Sequence, residues 1–91
     1  MNMYSIKTTE RFDKQFKKLD RSVQIMVKNW ITKHLVGTQN PRAQGKNLSG
    51  NLKDYWRYRI GDYRILAEIR DNELVIIAVS IEHRSKVYNT K

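Results

Sequence analysis

The 91-residue sequence contains no cysteine and only one proline. Without cysteine the chain has no disulfides and no thiolate chemistry, which agrees with a reducing compartment. Long hydrophobic runs are also missing, because the longest, residues 74–79, is far shorter than the roughly 20 residues that span a bilayer. Residues 1–6 alternate like a strand and lack the apolar segment of a signal peptide. We therefore expect a cytoplasmic protein without a membrane partner.

Acidic residues are scarce. The chain has 9 Asp and Glu against 18 Lys and Arg, which gives a net charge of +9. Such an excess favours a polyanionic partner, nucleic acid first. With only 2 His residues, far apart, and no Cys, no metal-ligand spacing is present, and there is no glycine-rich phosphate loop, so we predict no metal and no cofactor. The length suits a single domain, residues 1–91.

Residues 56–66 read as two strands around a Gly61-Asp62 turn. A two-residue loop would place Arg59 opposite Arg64. Side chains alternate along strands, so one face collects the apolar and aromatic residues, which are Trp56, Tyr58, Ile60, Tyr63, Ile65, Ala67 and Ile69. Arg57, Arg59 and Arg64 share the other face, which we call the arginine face.

Three arginines on one face point to an anionic ligand. Like charges placed opposite each other destabilise a hairpin by some tenths of a kcal/mol, so a sheet built only for stability would avoid Arg59 against Arg64. The alternative interpretation is an ordinary solvated strand face, on which arginines need no ligand. For the set of three, we favour the ligand.

The first half of the chain predicts a strand and a helical hairpin. Residues 3–8 alternate like a strand, and Thr8 or Thr9 can cap a first helix whose apolar stripe is Phe12, Phe16 and Leu19. Asp20 or Ser22 can cap a second helix, which ends near Val36 because Gly37 supplies a C-cap. Its apolar positions are Val23, Met26, Val27, Trp30, Ile31 and Leu35.

A polar loop is predicted for residues 38–53, because this stretch contains proline and glycine and shows no periodicity. Arg42, Lys46 and Lys53 make it basic. The loop either helps to hold a nucleic-acid backbone, through Lys46 and Lys53 in particular, or is a plain connector with surface charge.

The last two strands are predicted over residues 63–70 and 74–82. Val75, Ile77, Val79 and Ile81 are expected on the core face, because β-branched residues occupy that parity. A three-residue loop then places Ile69 opposite Val75 and Ser80 opposite Arg64, and it carries Arg84 to the arginine face. The predicted fold is α+β, with an N-terminal strand and a two-helix hairpin packed on one face of a mainly antiparallel four-stranded sheet.

This order of elements, followed by a short C-terminal tail, resembles the RelE and ParE superfamily of bacterial toxins. The resemblance covers nearly the whole chain, and it is most specific at residues 46–50, at residues 56–64 and at His83-Arg84 with Tyr88. In RelE-type members it implies metal-independent cleavage of messenger RNA in the ribosomal A site, with ribosomal RNA as a further contact, and neutralisation by a cognate antitoxin.

The resemblance also implies roles for individual residues. Basic residues at the positions of Arg57, Arg59, Arg64 and Arg84 would act on the RNA, and Tyr88 would accept a proton or stack on a base. Planar guanidinium groups suit a reacting phosphate because they are always charged and donate two hydrogen bonds at once. We predict Arg64 and Arg84 as the catalytic pair, and Arg57 and Arg59 as RNA-binding residues.

The general acid is left open by the sequence. The best-known family pattern has lysines at the positions of Arg57 and Arg59, and a guanidinium, with a pKa above about 12, cannot readily donate its proton. His83 is the natural candidate, since an imidazole titrates near neutrality. Regular alternation would send His83 to the core side, where it would be a structural histidine. In that case a ribosomal group would protonate the leaving oxygen, or no general acid would act at all.

Two further functions fit the same sequence. A ParE-like protein would poison DNA gyrase through protein contacts and cut nothing. A basic module would bind RNA without catalysis.

Overall fold

Five strands and three helices make up the part of the chain that the computed structural model describes, residues 3–48 and 55–87. The strands are β1 (Ser5–Thr8), β2 (Lys46–Asn47), β3 (Trp56–Ile60), β4 (Tyr63–Arg70) and β5 (Val75–His83), and the helices are α1 (Glu10–Lys17), α2 (Arg21–His34) and α3 (Arg84–Val87). The strand order in the sheet is β1-β5-β4-β3-β2. β1 runs parallel to β5, and the other neighbours are antiparallel. None of the helices in the described residues is long and apolar enough to cross a membrane.

The predicted fold class is confirmed, with one more strand than expected. The helices pack on one face of the sheet, where Phe12 of α1 and Val27 of α2 are buried in the same core as Tyr58, Ile65 and Ile76. The extra strand is β2, which lies inside the stretch predicted as a loop. Its two residues lack any periodicity that could indicate a strand, and they extend only because they pair with β3.

Thr9 fixes the start of α1, as one of the two predicted caps. Its hydroxyl accepts a hydrogen bond from the Phe12 N–H at 3.1 Å and donates one to the Val79 carbonyl at 2.7 Å. α2 ends at His34, two residues before the predicted end, with Leu35 as its C-cap, and Gly37 follows at φ +73°. Met26 differs from the predicted core, because it is 39 % exposed and its side chain lies beside Gly61 at the turn between β3 and β4.

The β3–β4 hairpin has the predicted register. Ile60 pairs with Tyr63, Arg59 with Arg64 and Tyr58 with Ile65. Gly61 adopts φ +59°, the left-handed conformation that a tight two-residue turn requires and that glycine adopts without strain. The core face of the hairpin is also as predicted, since Tyr58, Ile60, Ile65 and Ala67 are all buried.

The predicted register between β4 and β5 is wrong. Ile69 pairs with Ile76 instead of Val75, and Arg64 pairs with Glu82 instead of Ser80, which lies opposite Leu66. The core positions shift accordingly. Ile76, Ala78 and Ile81 are in the buried core, whereas Ile77 and Val79, predicted to be buried, are half exposed.

Two local features produce this difference. The loop from Asp71 to Leu74 has four residues, not three, because Leu74 takes a left-handed conformation at φ 55° and closes the turn through a bond from its N–H to the Asp71 carbonyl. β5 then bulges at Val79, between the pairs Ala67 with Ala78 and Leu66 with Ser80. Thr9 stabilises this bulge, since it donates to the carbonyls of both Ala78 and Val79. Apolar residues stand at both parities of β5, so periodicity alone did not reveal either feature.

Candidate nucleic-acid interface

The arginine face lies opposite the helices, on the side of the sheet away from the core. Tyr58, Ile60 and Ile65 point into the core, and the residues that alternate with them are Arg57, Arg59 and Arg64. Arg59 and Arg64 are direct cross-strand partners. The hairpin register therefore brings these side chains to one side of the sheet, as predicted.

Arg84 joins this group at the end of β5. It is the first residue of α3, and its backbone N–H donates to the Asp62 carbonyl at 2.7 Å. That bond ties the start of α3 to the β3–β4 turn, two residues before Arg64. Arg57, Arg59, Arg64 and Arg84 together are the arginine cluster.

The electrostatics of Arg64 reflect this crowding. Its pKa is lowered, first because the guanidinium is partly removed from water and then because the positive charges of Arg57, Arg59 and Arg84 act on it. Asp62 acts in the opposite direction. The Nε and Nη1 atoms of Arg64 are screened from solvent. A group whose charge is disfavoured by its neighbours gains most from an added anion.

Carboxylates are kept away from much of the arginine cluster. Within residues 3–48 and 55–87, no carboxylate oxygen lies within ion-pairing distance of Arg59 or Arg84. Glu82 stands opposite Arg64 in the ladder, but its Oε2 accepts from Gln15 Nε2 at 3.2 Å and lies 3.7 Å from Arg11 Nη2. Helix α1 therefore engages the one acid that the β4–β5 register brings to this end of the sheet.

Lys46 extends the arginine face on its other side. It pairs with Arg57 in the β2–β3 ladder and is exposed. The segment that precedes β2, residues 41–45, is held on the sheet by two aromatic side chains of β3. The Tyr58 hydroxyl donates to the Pro41 carbonyl at 2.6 Å, and Trp56 Nε1 donates to the Gln44 carbonyl at 2.6 Å.

Arg42 completes this attachment by pairing with a carboxylate on the β4–β5 loop. Its Nη1 and Nη2 each lie 3.1 Å from an oxygen of Asp71. The Tyr4 hydroxyl donates to the same carboxylate at 2.6 Å. These bonds hold the pKa of Asp71 below its ordinary value. Arg42 and Asp71 are 29 residues apart, so no local pattern in the sequence indicates this pair.

Gly45 lets the segment lie directly on β3. Its φ is +80°, and a Cβ at this position would collide with the Arg57 carbonyl and come within 2.7 Å of Trp56 Nε1. Only a residue without a side chain fits. The close approach at Gly45 therefore sets where its neighbour Lys46 meets Arg57.

His83 lies on a different side from the arginine face. It pairs with Tyr63, whose ring it meets edge to face at 5.3 Å. Its Nδ1 accepts from the Ser85 N–H at 3.1 Å and lies 2.9 Å from Ser85 Oγ. His83 therefore stands on the core side of β5, as the alternation of side chains predicts for a structural histidine. The remaining two candidates, Lys53 and Tyr88, lie outside the described residues.

The statistical model of the ParE toxins of type II toxin-antitoxin systems, parDE, matches residues 6–88. The chain belongs to this toxin family. A search of curated protein sequences gave no match.

Solved structures of RelE proteins are similar to the toxin in fold. A RelBE toxin-antitoxin complex from Mycobacterium tuberculosis matches with a TM-score of 0.83 at 24 % identity, over 94 % of this chain and 97 % of that one. The isolated RelE toxin of Escherichia coli matches with a TM-score of 0.71 at 26 % identity, over 93 % and 90 %. The intact Escherichia coli RelBE complex gives 0.72 at 23 %, over 88 % and 95 %. The resemblance to RelE-type toxins is thereby confirmed for the fold.

Proposed function

We propose that the toxin is an endoribonuclease that cuts messenger RNA in the ribosomal A site without a metal ion. The observation that carries this proposal is the arginine cluster, in which partial removal from water and then three neighbouring guanidinium groups lower the pKa of Arg64. An anion bound there would reduce the repulsion among these positive charges. In this proposal the protein acts in the cytoplasm, with messenger RNA and ribosomal RNA as its nucleic-acid contacts.

The reaction needs no cofactor in this proposal. The 2′-hydroxyl oxygen attacks the adjacent phosphorus, a new O–P bond forms, and the bond from phosphorus to the 5′-oxygen breaks. The products are a 2′,3′-cyclic phosphate and a 5′-hydroxyl. One proton leaves the 2′-hydroxyl and one reaches the 5′-oxygen, so the overall step is balanced.

Negative charge grows on the phosphoryl oxygens as the new bond forms. Arg64 and Arg84 are proposed to stabilise it, since prepositioned donors aimed at developing charge are the strongest single contribution to such a step. Arg57, Arg59, Lys46 and Lys53 are proposed to hold the flanking backbone.

Proton transfer is assigned with two proposals. Tyr88 is proposed as the acceptor of the 2′-hydroxyl proton, because positive charge nearby lowers the pKa of a phenol toward a useful range. A ribosomal group is proposed to donate the proton to the 5′-oxygen. His83 is the alternative donor, but the cross-strand register pairs it with Tyr63, on the other side of the sheet from Arg59 and Arg64.

An antitoxin is the proposed protein partner. The similar structures from Mycobacterium tuberculosis and Escherichia coli are complexes of toxin with antitoxin. With its net charge of +9, this toxin suits an acidic partner segment that covers the arginine face. Growth arrest by the toxin should be relieved when the adjacent small reading frame is expressed with it.

A gyrase inhibitor is the second candidate, because the matching family model is that of ParE toxins. In that case the basic surface would contact gyrase or its DNA and no RNA would be cut. The two candidates share the fold, so only activity separates them.

The decisive experiment incubates the purified toxin with ribosomes programmed with a defined message and maps the RNA ends. New ends within the A-site codon that carry a cyclic phosphate are expected. A parallel assay follows supercoiling by purified gyrase. Intact message together with blocked supercoiling would replace the nuclease with the gyrase inhibitor, and intact message with unaffected gyrase would leave the non-catalytic RNA-binding module.

A further inference from the structure

Tyr55 is an aromatic residue on the arginine face that has no role in the mechanism above. The Leu48 N–H donates to the Tyr55 carbonyl at 3.3 Å. This bond continues the β2–β3 ladder, in which Lys46 pairs with Arg57 and Asn47 with Trp56. Since side chains alternate, Tyr55 lies on the same side of the sheet as Arg57 and opposite to Trp56.

The hydroxyl of Tyr55 is not used to hold the fold. Tyr4 and Tyr58 donate their hydroxyls to Asp71 and to the Pro41 carbonyl. Among the described residues no hydrogen-bond partner is found for the Tyr55 hydroxyl, and its side chain is half exposed.

Leu66 adjoins Tyr55 on the arginine face. It is the cross-strand partner of Arg57, in the row next to Tyr55, and it is half exposed. Since Trp56 pairs with Ala67, the continued ladder places Glu68 opposite Tyr55, and Ile77 lies beyond Glu68 as its partner on β5. Tyr55 and Leu66 together are the apolar platform.

The charged residues beside the apolar platform differ in their partners. Arg57 stands two residues from Tyr55 and therefore about 7 Å along the strand, and Arg59 stands two residues beyond it. Glu68, opposite Tyr55, is bound by Arg70, with Nε 3.0 Å from Oε2. Within the described residues, no carboxylate oxygen lies within ion-pairing distance of Arg59.

We propose that a nucleobase of the RNA stacks on Tyr55 while the arginine cluster holds the phosphates that follow it. This inference rests on the proposed nuclease function and adds a base-binding site to it. An RNA strand fits the surface better than a protein segment. Its flat base can stack on Tyr55, and its negatively charged backbone can lie over the arginines in the neighbouring rows of the sheet. Aromatic rings bind bases of single strands in this way.

The test measures binding of a labelled eight-nucleotide RNA and of the same strand with abasic sites, by fluorescence anisotropy at low salt. Tyr55→Ala is expected to weaken binding of the RNA about tenfold and to leave binding of the abasic strand unchanged. Tyr55→Phe should bind like the wild type. Ile25→Ala is the control, because Ile25 is 52 % exposed on α2. Tyr55→Leu keeps the apolar bulk but has no aromatic ring, so it should lose affinity as Tyr55→Ala does. It takes the place of Tyr55→Ala if Tyr55→Ala folds poorly.

Three results would overturn the inference. If Tyr55→Ala and Tyr55→Leu bind RNA like the wild type, or weaken RNA and abasic strand equally, no base stacks on this ring, although the nuclease proposal stands. If these variants lose affinity for the antitoxin but not for RNA, the apolar platform is a protein contact. If the wild type binds neither strand and leaves programmed ribosomes intact, the base site and the nuclease fail together.

Discussion

The sheet carries arginines at two ends, and they differ in what surrounds them. At the β4–β5 loop, Arg42 bonds Asp71 through two nitrogens, each at 3.1 Å, and Arg70 bonds Glu68 at 3.0 Å. Hydrogen bonds to these carboxylates raise the pKa of both guanidinium groups. In the arginine cluster, partial removal from water and then the charges of Arg57, Arg59 and Arg84 lower the pKa of Arg64, against the opposing effect of Asp62. The same residue type is a structural tie at one end and a candidate anion site at the other.

The difference comes from where the few acids fall. Glu68, Asp71 and Glu73 stand within six residues of one another around the β4–β5 loop, where Arg42 and Arg70 reach them. At the other end, Glu82 is engaged by Gln15 and Arg11. A count of charges along the sequence does not separate the two ends, because the pairing is made by the fold.

The largest expected effect is on cleavage, and it distinguishes the arginine cluster from the arginines at the β4–β5 loop. Arg64→Ala should lower the rate of cleavage on ribosomes by two to three powers of ten, because it removes donors aimed at the charge that develops on the phosphate. Single-turnover kinetics with programmed ribosomes measures this loss.

Arg70→Ala is the matched control at the other end of the sheet. It removes an arginine that pairs with Glu68 and Glu73 at the surface, so its unfolding free energy should change little and its cleavage rate should stay at the wild-type level. Equal loss of cleavage in both variants would mean that total positive charge, and not the arginine cluster, supports activity.

The next effect concerns the attachment of Lys46 beside Arg57. Gly45→Ala places a Cβ against the Arg57 carbonyl and demands a left-handed backbone from alanine, so the segment must move away from β3. We expect a loss of roughly 1 to 3 kcal/mol in unfolding free energy, measured by denaturant titration. Gly37→Ala is the control, since Gly37 has a similar φ of +73° but nothing within 4 Å of its added Cβ. It should therefore lose clearly less stability than Gly45→Ala.

A smaller effect is expected from Asp71→Asn, which removes the carboxylate shared by Arg42 and Tyr4. Both side chains of the ion pair are about half exposed, so the loss near pH 7 should be about 1 kcal/mol. The hydrogen bonds from Arg42 and then Tyr4 hold the pKa of Asp71 below 3.8, its ordinary value.

The sign of the pH dependence follows from this shift. A carboxylate with a lowered pKa stabilises the fold above its unfolded pKa and loses that contribution as the pH falls through the folded one. The stability difference between wild type and Asp71→Asn should therefore be full above about pH 4 and shrink below it. A difference that does not change between pH 7 and pH 2.5 would contradict the ion pair.

The smallest effect is expected for His83→Gln. Nδ1 of His83 is held by Ser85 and its ring packs on Tyr63, away from Arg59 and Arg64, so cleavage should fall less than about fivefold. The pH profile of single-turnover cleavage should also keep its shape. A fall of 10²-fold or more, together with a change in the shape of the pH profile, would restore His83 as the proton donor.

Much of the fold was predictable because its signals are local. The Gly61-Asp62 turn specifies a two-residue loop, and this loop sets every pair of the β3–β4 ladder. Thr9 and Gly37 mark helix ends by side-chain bonding and backbone conformation that depend on a few neighbours. The placement of Arg57, Arg59 and Arg64 on one face follows from these local signals alone.

The register of β5 was not predictable from the same kind of signal. Isoleucines at 76 and 77 fit either face, so the pattern favours neither. The choice is made by Leu74, whose left-handed backbone lengthens the loop, and by Thr9, which bonds the carbonyls at the bulge from the other end of the chain. Contacts over nearly 70 residues leave no trace in local periodicity.

The sequence by itself determined that this protein has an α+β fold and that three arginines face the same way, because turn chemistry and alternation act over a few residues. Only the tertiary structure decided that Arg42 and Arg70 are tied to acids. Ion pairs such as Arg42 with Asp71 join parts of the chain that meet only after folding. The position of Arg84 depends in the same way on its bond to Asp62 at the β3–β4 turn.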